Sequence, residues 1–319
     1  MGTQRVKVGN SDLEVFPLVL GGNTFGWTSD EATSRSVLDE YAAAGGNFID
    51  TADVYSAWVP GNAGGESETI LGRWLAVRGN RDGMVIATKV SQHPQYPGLS
   101  AANVAAAADE SLLRLGTDHI DLYYAHFDDR DTPLEETAEA FDALVKAGKV
   151  RAIGLSNYSA ERIEEWFGIA RENGFALPVA LEPHYNLVHR ADYERTLQPV
   201  AELEDMSVFP YYSLASGFLT GKYRSAADAQ GKERQGGVSD YLNENGFALI
   251  DALAKVAKAH DVAIASVSLA WLLRRPQVTA PIASARTPEQ LPALIAATRL
   301  SLGDEDVAAL DEASAPLMR

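Results

Sequence analysis

The sequence predicts a closed (β/α)8 barrel, and three observations carry that expectation. Eight short apolar runs, the first near Leu18-Val19-Leu20, alternate with helical stripes along the whole chain. Strict β-α alternation calls for a parallel sheet, and eight units in 319 residues suit a closed barrel better than an open doubly wound sheet. Polar residues capable of acid–base chemistry fall at or just past the ends of the apolar runs, where a barrel of this kind builds its site. No domain linker interrupts the rhythm, so residues 1–319 read as a single domain.

Residues Arg5 to Val19 alternate polar and apolar about a turn at Gly9-Asn10-Ser11-Asp12, which predicts a β-hairpin ahead of the first buried strand. Ser29-Asp30-Glu31 starts a helix whose stripe is Val37, Leu38, Tyr41 and Ala44, and Gly45-Gly46 ends it. The next strand ends at Asp50. A helix over 68–77 precedes the strand 84–88, and an Ala-rich helix over 101–115 precedes the strand 120–125. Thr132-Pro133-Leu134-Glu135 opens a helix to Lys146, since proline in the first turn gives up no helical hydrogen bond. The strand 150–155, helix 159–173, strand 178–181, helix 193–204 and strand 208–211 continue the alternation. Helices at 247–259 and 266–273, a strand over 278–282 and a helix over 289–297 complete it. The polar segment Arg224 to Asp240 reads as a mobile loop in the seventh unit.

Composition excludes several classes of function. With no cysteine there is no disulfide, thiolate metal site or cysteine nucleophile. The net charge of −17 opposes nucleic acid and anionic membranes as partners, because both attract positive charge. No apolar run reaches the roughly 20 residues of a membrane span, and Met1 to Val8 lacks the apolar core of a signal peptide, so a cytoplasmic protein is expected. The six histidines show no metal-site spacing, which sets aside a metal-dependent barrel hydrolase.

The strand ends suggest a chemistry. Asp50 ends the second strand and Tyr55 follows five residues later; Lys89 lies at the end of the third strand and His126 at the end of the fourth. Ser156-Asn157, Glu182, Tyr211 and then Ser284 and Arg286 stand after the fifth to eighth. Each has a bland reading alone: Asp50 as a cap, Tyr55 as a packed aromatic, Lys89 as a solvated charge, His126 as a structural histidine. Together they suit the protonation of an alkoxide as it forms. A phenol, with a reference pKa of about 10, is a poor acid at neutral pH. A neighbouring Lys89 is expected to lower that pKa, with Asp50 keeping the lysine charged and oriented. His126 can orient and polarise a carbonyl oxygen. No covalent nucleophile is present, so the electrons must come from a cofactor.

The chain resembles the aldo-keto reductases over almost its whole length. The resemblance rests on Val15-Phe16-Pro17-Leu18-Val19-Leu20-Gly21-Gly22-Asn23-Thr24-Phe25-Gly26, on Phe48-Ile49-Asp50-Thr51-Ala52-Asp53-Val54-Tyr55 and on Gly65-Glu66-Ser67-Glu68. Ala87-Thr88-Lys89, His126, Gly154-Leu155-Ser156-Asn157-Tyr158 and Ala215-Ser216-Gly217-Phe218-Leu219-Thr220-Gly221-Lys222-Tyr223 add to it. It implies a barrel closed at the bottom by the N-terminal hairpin, and hydride transfer between a nicotinamide cofactor and a small-molecule carbonyl. The implied cofactor is NADPH, with NADH the other nicotinamide to be considered. Tyr55 would be the general acid, Lys89 and Asp50 its tuning pair, and His126 the oxygen-orienting residue. Thr24 and Asp50 would border the cofactor, Ser156, Asn157 and Glu182 would meet its carboxamide, and Tyr211 would stack under its ring. Leu214, Ser216, Gly217, Leu219, Thr220, Gly221 and Lys222 would wrap the pyrophosphate, while Ser284, Arg286 and Gln290 approach the adenosine 2′-phosphate.

Three departures stand out. Glu182 replaces the family's usual glutamine; a carboxylate accepts from a carboxamide NH2 but cannot donate back. It is therefore expected to weaken cofactor binding or to carry a proton. Tyr212-Ser213 stands where Ser-Pro is usual, and Gln290-Leu291-Pro292-Ala293-Leu294 lacks an acidic-plus-Asn pair. Trp27, Trp58, Phe127 and Tyr124 are expected to line the substrate mouth, and Asp128-Asp129-Arg130-Asp131 either meets a polyol or is solvated loop charge. A sugar or polyol dehydrogenase running oxidatively is one alternative. A cofactor-sensing subunit, like the potassium-channel β-subunits that share the fold, is the other. The oligomeric state is left open.

Overall fold

The computed structural model describes residues 4–225, 228 and 236–318. The expectation of a mobile loop over 224–240 therefore falls largely on residues outside those described. Eight strands form one sheet: β1 Val19–Gly21, β2 Phe48–Asp50, β3 Val85–Val90, β4 Ile120–Ala125, β5 Val150–Ser156, β6 Pro178–Glu182, β7 Ser207–Val208 and β8 Ile282–Ala283. Every adjacent pair is parallel, in chain order, with β8 returning to β1. The ring closes between the seventh and eighth units. Val208 bridges Val278, Thr279 N donates to Val208 O at 2.9 Å, and Ile282 N donates to Pro210 O at 2.9 Å.

β7 and β8 are shorter than the apolar runs that predict them, and proline is the reason. Pro210 and Pro281 accept ladder bonds from Ile282 and Val19 but have no N–H to give. Helices α1 Glu31–Ala43, α2 Glu66–Arg78, α3 Ala101–Leu115, α4 Leu134–Lys146 and α5 Ala160–Asn173 follow the first five strands. Asp30 and Ser159 cap α1 and α5 as the sequence indicates, accepting from Thr33 N and Arg162 N. The sixth unit starts as one wide turn, Tyr193–Leu197, before α6 Gln198–Leu203, because Pro199 leaves the helical ladder one donor short. α7 Glu244–Ala259 and α8 Ile264–Leu273 follow β7, and α9 Leu291–Ala296 follows β8. None of these is long and apolar enough to cross a membrane as a single helix.

Sequence periodicity missed one helix. α10 Asp304–Ser314 packs on α7 and carries Asp311, which accepts from Trp271 Nε1 at 3.0 Å and Arg275 at 2.6 Å. It also missed a short antiparallel pair after β3, Gln92–His93 with Tyr96–Pro97.

Inside the ring Val19, Phe48, Val85, Leu122, Ala180, Phe209 and Ile282 form a packed core, with Phe48 and Phe209 edge to face at 5.1 Å. Val8, Leu13 and Val15 belong to this core, so the N-terminal hairpin (Val6–Lys7 with Glu14–Val15) closes the bottom of the barrel. Gly9 N donates to Ser207 Oγ at 2.9 Å and Phe16 N to Asn47 Oδ1 at 2.8 Å, pinning the hairpin in place. With the bottom filled, the open end lies at the C-terminal ends of the strands. Gly154 matters here: a Cβ on it would stand 2.4 Å from the Tyr124 ring, which crosses the barrel interior beneath that end.

Candidate active site

Asp50 ends β2, Lys89 is the last residue but one of β3, and His126 follows β4 directly, so the barrel brings all three to one rim with Tyr55. Lys89 is fully buried. Its Nζ donates to Asp50 Oδ1 at 2.5 Å, Thr51 O at 3.0 Å and Tyr55 Oη at 3.0 Å. Three acceptors satisfy the three hydrogens of an ammonium, which is why a lysine can be charged here without water. Tyr55 Oη in turn donates to Asp50 Oδ2 at 3.3 Å. The His126 ring lies 6.4 Å from that of Tyr55, and its buried Nδ1 has no partner.

A second carboxylate completes the cluster. Glu182, at the end of β6, places Oε1 3.5 Å from Lys89 Nζ, while its buried Oε2 has no hydrogen-bond partner. The sequence places Glu182 on this rim and expects it to meet the cofactor or carry a proton, but not to share Lys89 with Asp50.

The electrostatics follow from burial. Burial pushes the Tyr55 phenol above its ordinary value; the charges of Asp50 and Glu182 add to this, and Lys89 only partly offsets it. Lys89 thus lowers the Tyr55 pKa as expected, but the net direction is upward, because one buried cation faces two carboxyls and desolvation as well. Burial alone would lower Lys89, but Asp50 and then Glu182 raise it, so the ammonium holds its proton. Burial, and then the charge of Asp50, pushes Glu182 up to about 8, with Lys89 pulling against them. Burial and the Lys89 charge hold His126 well below its ordinary value, leaving a neutral imidazole at neutral pH.

A polar belt continues round the rim. Ser156 Oγ donates to Glu182 O at 2.9 Å, Asn157 Nδ2 donates to His126 O at 2.9 Å and to Ser156 Oγ at 3.1 Å, and Tyr211 Oη donates to Asn157 Oδ1 at 2.8 Å. Tyr211 is half-buried, and the His184 ring stacks against it at 5.3 Å. Both hydrogens of Asn157 are engaged within the chain, so Ser156 and Asn157 would have to exchange these bonds to donate to a carboxamide. Beyond Tyr211, Ala215, Ser216 and Gly217 turn left-handed in succession (φ 46°, 56° and 92°), and the Lys222 side chain lies across Gly217. Ser284 Oγ donates to Asn23 Oδ1 at 2.6 Å, and Gln290 Oε1 accepts from Arg286 N at 2.8 Å, leaving the Arg286 side chain exposed.

Three expected site residues have buried side chains. Thr24 is fully buried, its hydroxyl directed at Ala285 O at 3.4 Å, so its side chain ties two loops together. Leu219 is fully buried in the core, and its carbonyl accepts from Ser268. Tyr124 does not line the mouth; at 1% exposure it is part of the barrel core beneath the site. The remaining aromatics do stand at the rim. Trp27 and Trp58 meet edge to face at 5.6 Å, Trp58 lies 6.2 Å from Tyr55, and Phe127 is exposed. Asp128 pairs with Arg162 at 2.8 Å, and Asp129 accepts from Leu99 N at 2.8 Å, so both carboxylates hold loops.

Behind β3 lies a separate buried group. Glu68 accepts from Thr88 Oγ1 at 2.5 Å and Arg114 Nε at 2.6 Å, while neither carboxyl oxygen of fully buried Asp53 has a partner. Burial, then the Glu68 charge, raises Asp53 well above its ordinary value. A carboxyl that binds its proton more tightly when folded stabilises the fold at low pH, and that stability is lost as pH rises through the folded value. Asp53→Asn is therefore expected to raise Tm by about 2 °C or more near pH 8, with the gain vanishing near pH 4. An equal change at both pH values in thermal melts would show that Asp53 is not protonated in the fold.

The residues fit a nicotinamide cofactor. Tyr211 offers a ring face, the orphan Glu182 Oε2 an acceptor for a carboxamide NH2, and the proton-donating cluster stands beside them. The profile of the aldo/keto reductase family matches residues 17–315, and the chain belongs to that family. It is an NAD(P)H-dependent oxidoreductase with a carbonyl-reductase type of function. Similar proteins include the uncharacterized oxidoreductase YrpG of Bacillus subtilis, 35% identical over 96% of this chain and 94% of its own length. The norsolorinic acid reductase stcV of Emericella nidulans is 32% identical over 98% of this chain and 81% of its own. An aryl-alcohol dehydrogenase [NADP(+)] of Phanerodontia chrysosporium is 32% identical over 98% and 86%.

Proposed function

We propose that the chain, working as one domain, is an NADPH-dependent reductase of aromatic aldehydes and ketones in which Tyr55 gives the proton. The observation that carries the reading is the fully buried Lys89 ammonium, bonded at once to Tyr55 Oη at 3.0 Å and to Asp50 at 2.5 Å. When bound, the reduced nicotinamide supplies a hydride to the carbonyl carbon. Tyr55 Oη turns its hydrogen from Asp50 to the substrate oxygen and releases it as negative charge builds there. Its raised pKa keeps the phenol loaded until then. Lys89 stabilises the phenolate that remains, and Asp50 and Thr51 O fix the lysine for that task. Neutral His126 orients the oxygen without adding a competing charge.

The cofactor would lie along the belt. Glu182 Oε2 would accept from the carboxamide, Tyr211 would back the ring, and Ser156 and Asn157 would complete the grip after exchanging their present bonds. The left-handed turn at 215–217, with Ser216, Gly217, Thr220, Gly221 and Lys222, suits a pyrophosphate through the Lys222 cation lying across Gly217, since Ala215 N and Gly217 N donate within the chain to Tyr212 O and Leu214 O. The exposed Arg286 guanidinium, between Ser284 and Gln290, favours the 2′-phosphate of NADPH. The NADP(+) in the name of one relative supports the same preference.

Trp27, Trp58 and Phe127 at the mouth favour a flat apolar substrate, in keeping with the aryl-alcohol name of that relative. The polyol reading loses its support, since Asp128 and Asp129 are already paired. Oxidation of NADPH and NADH should be followed against aromatic aldehydes, aliphatic aldehydes and aldoses. Turnover is expected with NADPH and aromatic aldehydes above the other combinations. Cofactor binding without turnover of any carbonyl would sink the reading in favour of a cofactor-sensing protein.

A further inference from the structure

We infer that Glu182 makes this pocket discriminate between the redox states of its nicotinamide, holding the oxidised, cationic ring more tightly when its carboxyl is ionised and losing that preference when protonated. The inference rests on the reductase reading above.

The argument begins from charge. Lys89 is shared by two buried carboxyls, Asp50 at 2.5 Å and Glu182 at 3.5 Å. With both ionised the cluster carries one net negative charge; with one protonated it carries none. Of the two, Glu182 is the proton carrier. Asp50 makes the shorter bond to Lys89 and also accepts from Tyr55, whereas Glu182 keeps Oε2 without a partner.

No other facing group alters that balance. Glu182 faces Asp50 from β2, Lys89 from β3, Tyr124 from β4, Tyr55 from the loop after β2 and Tyr211 from the loop after β7. Ser156 from β5 meets only its backbone carbonyl. Burial raises all three phenols, so they stay neutral, and His126 beyond them is held neutral by burial and by Lys89.

Chemistry fixes where the ring must be. The substrate oxygen has to reach Tyr55 Oη within about 3 Å, and the hydride donor must approach the adjoining carbon to about 3–3.5 Å. Tyr55 Oη is 3.0 Å from Lys89 Nζ, which is 3.5 Å from Glu182 Oε1. Laid end to end, these distances keep the ring within about 14 Å of the Glu182 carboxyl, in a site where water screens little. An anion there lowers the free energy of a cationic ring and does little for a neutral one. At such separations the preference should be on the order of tenfold. A glutamine would bring the same shape and no charge. The titration of Glu182, pushed up to about 8 by burial and Asp50, places the switch within reach of solution measurements.

Binding decides it without turnover. Dissociation constants for NADP+ and NADPH should be measured by quenching of protein fluorescence from about pH 6 to about pH 9. Taking the ratio of the two cancels the titration of the 2′-phosphate, which both share. In the native protein NADP+ is expected to tighten relative to NADPH by about tenfold across that range, and in Glu182→Gln the ratio should stay flat. A measurement needing no variant is proton release: NADP+ binding near pH 8 should release protons to an indicator dye and NADPH binding should not. A flat ratio in the native protein, an undiminished slope in Glu182→Gln, or no proton release would each overturn the inference. Such a result alongside an inactive Tyr55→Phe would leave the reductase reading standing. Full turnover by Tyr55→Phe would remove that reading, and failure to bind either nucleotide would overturn both.

Discussion

Tyr55→Phe is expected to lower turnover by about 10²–10⁴-fold, the usual worth of a positioned proton donor, with cofactor affinity and Tm nearly unchanged. The substitution removes one oxygen and no packing surface. Lys89 loses its bond to Tyr55 but retains Asp50, Thr51 O and Glu182, so the buried charge stays compensated. The Trp27–Trp58 pair and the neutral His126 remain able to receive a substrate. The loss should therefore appear in kcat, because the proton is needed only as the oxygen becomes charged. A variant that retains native turnover under single-turnover conditions would show that another group, His126 first among them, gives the proton.

Lys89→Met should have the larger combined effect. Turnover is expected to fall at least as far as in Tyr55→Phe, because the phenolate loses the ammonium bonded to it. Stability should fall too, by about 3–5 kcal/mol near pH 8, the usual cost of removing one partner from a buried ionic cluster. The pH dependence follows from the two carboxyls left behind. Asp50 and Glu182 would face each other without a cation and would hold a proton more tightly in the folded chain than in the unfolded one. Their contribution is then favourable at low pH and is lost as pH rises through the folded value. Urea unfolding near pH 6 and near pH 8 should show the deficit growing with pH, and Glu182→Gln in the same chain should restore part of it. Equal stability of the variant and native proteins at both pH values would mean that Lys89 is not the counterion of these carboxyls.

The alternation of apolar runs with helical stripes determined the barrel, because strand and helix periods are local properties of the chain. It also placed Asp50, Lys89, His126 and Glu182 on one rim, since the ends of parallel strands share one face of a closed sheet. α10 was not legible in the same way. Its support is the distant ties of Asp311 to Trp271 and Arg275, while of its own residues only Leu310 and Ser314 are buried.

Tertiary structure alone decided the charge balance and the burial. Whether Tyr55 is made more or less acidic depends on how many carboxyls reach Lys89 and how much water is excluded, and these are distances across strands that no spacing in the chain encodes. Tyr124 became part of the barrel core because Gly154, thirty residues away on the neighbouring strand, leaves its ring room. Thr24 and Leu219 turned inward because neighbouring loops and helices offered partners there, and Asp128 was occupied by Arg162 from α5. A residue type and its place on a strand are written locally. Its protonation and its reach are set by everything that folds against it.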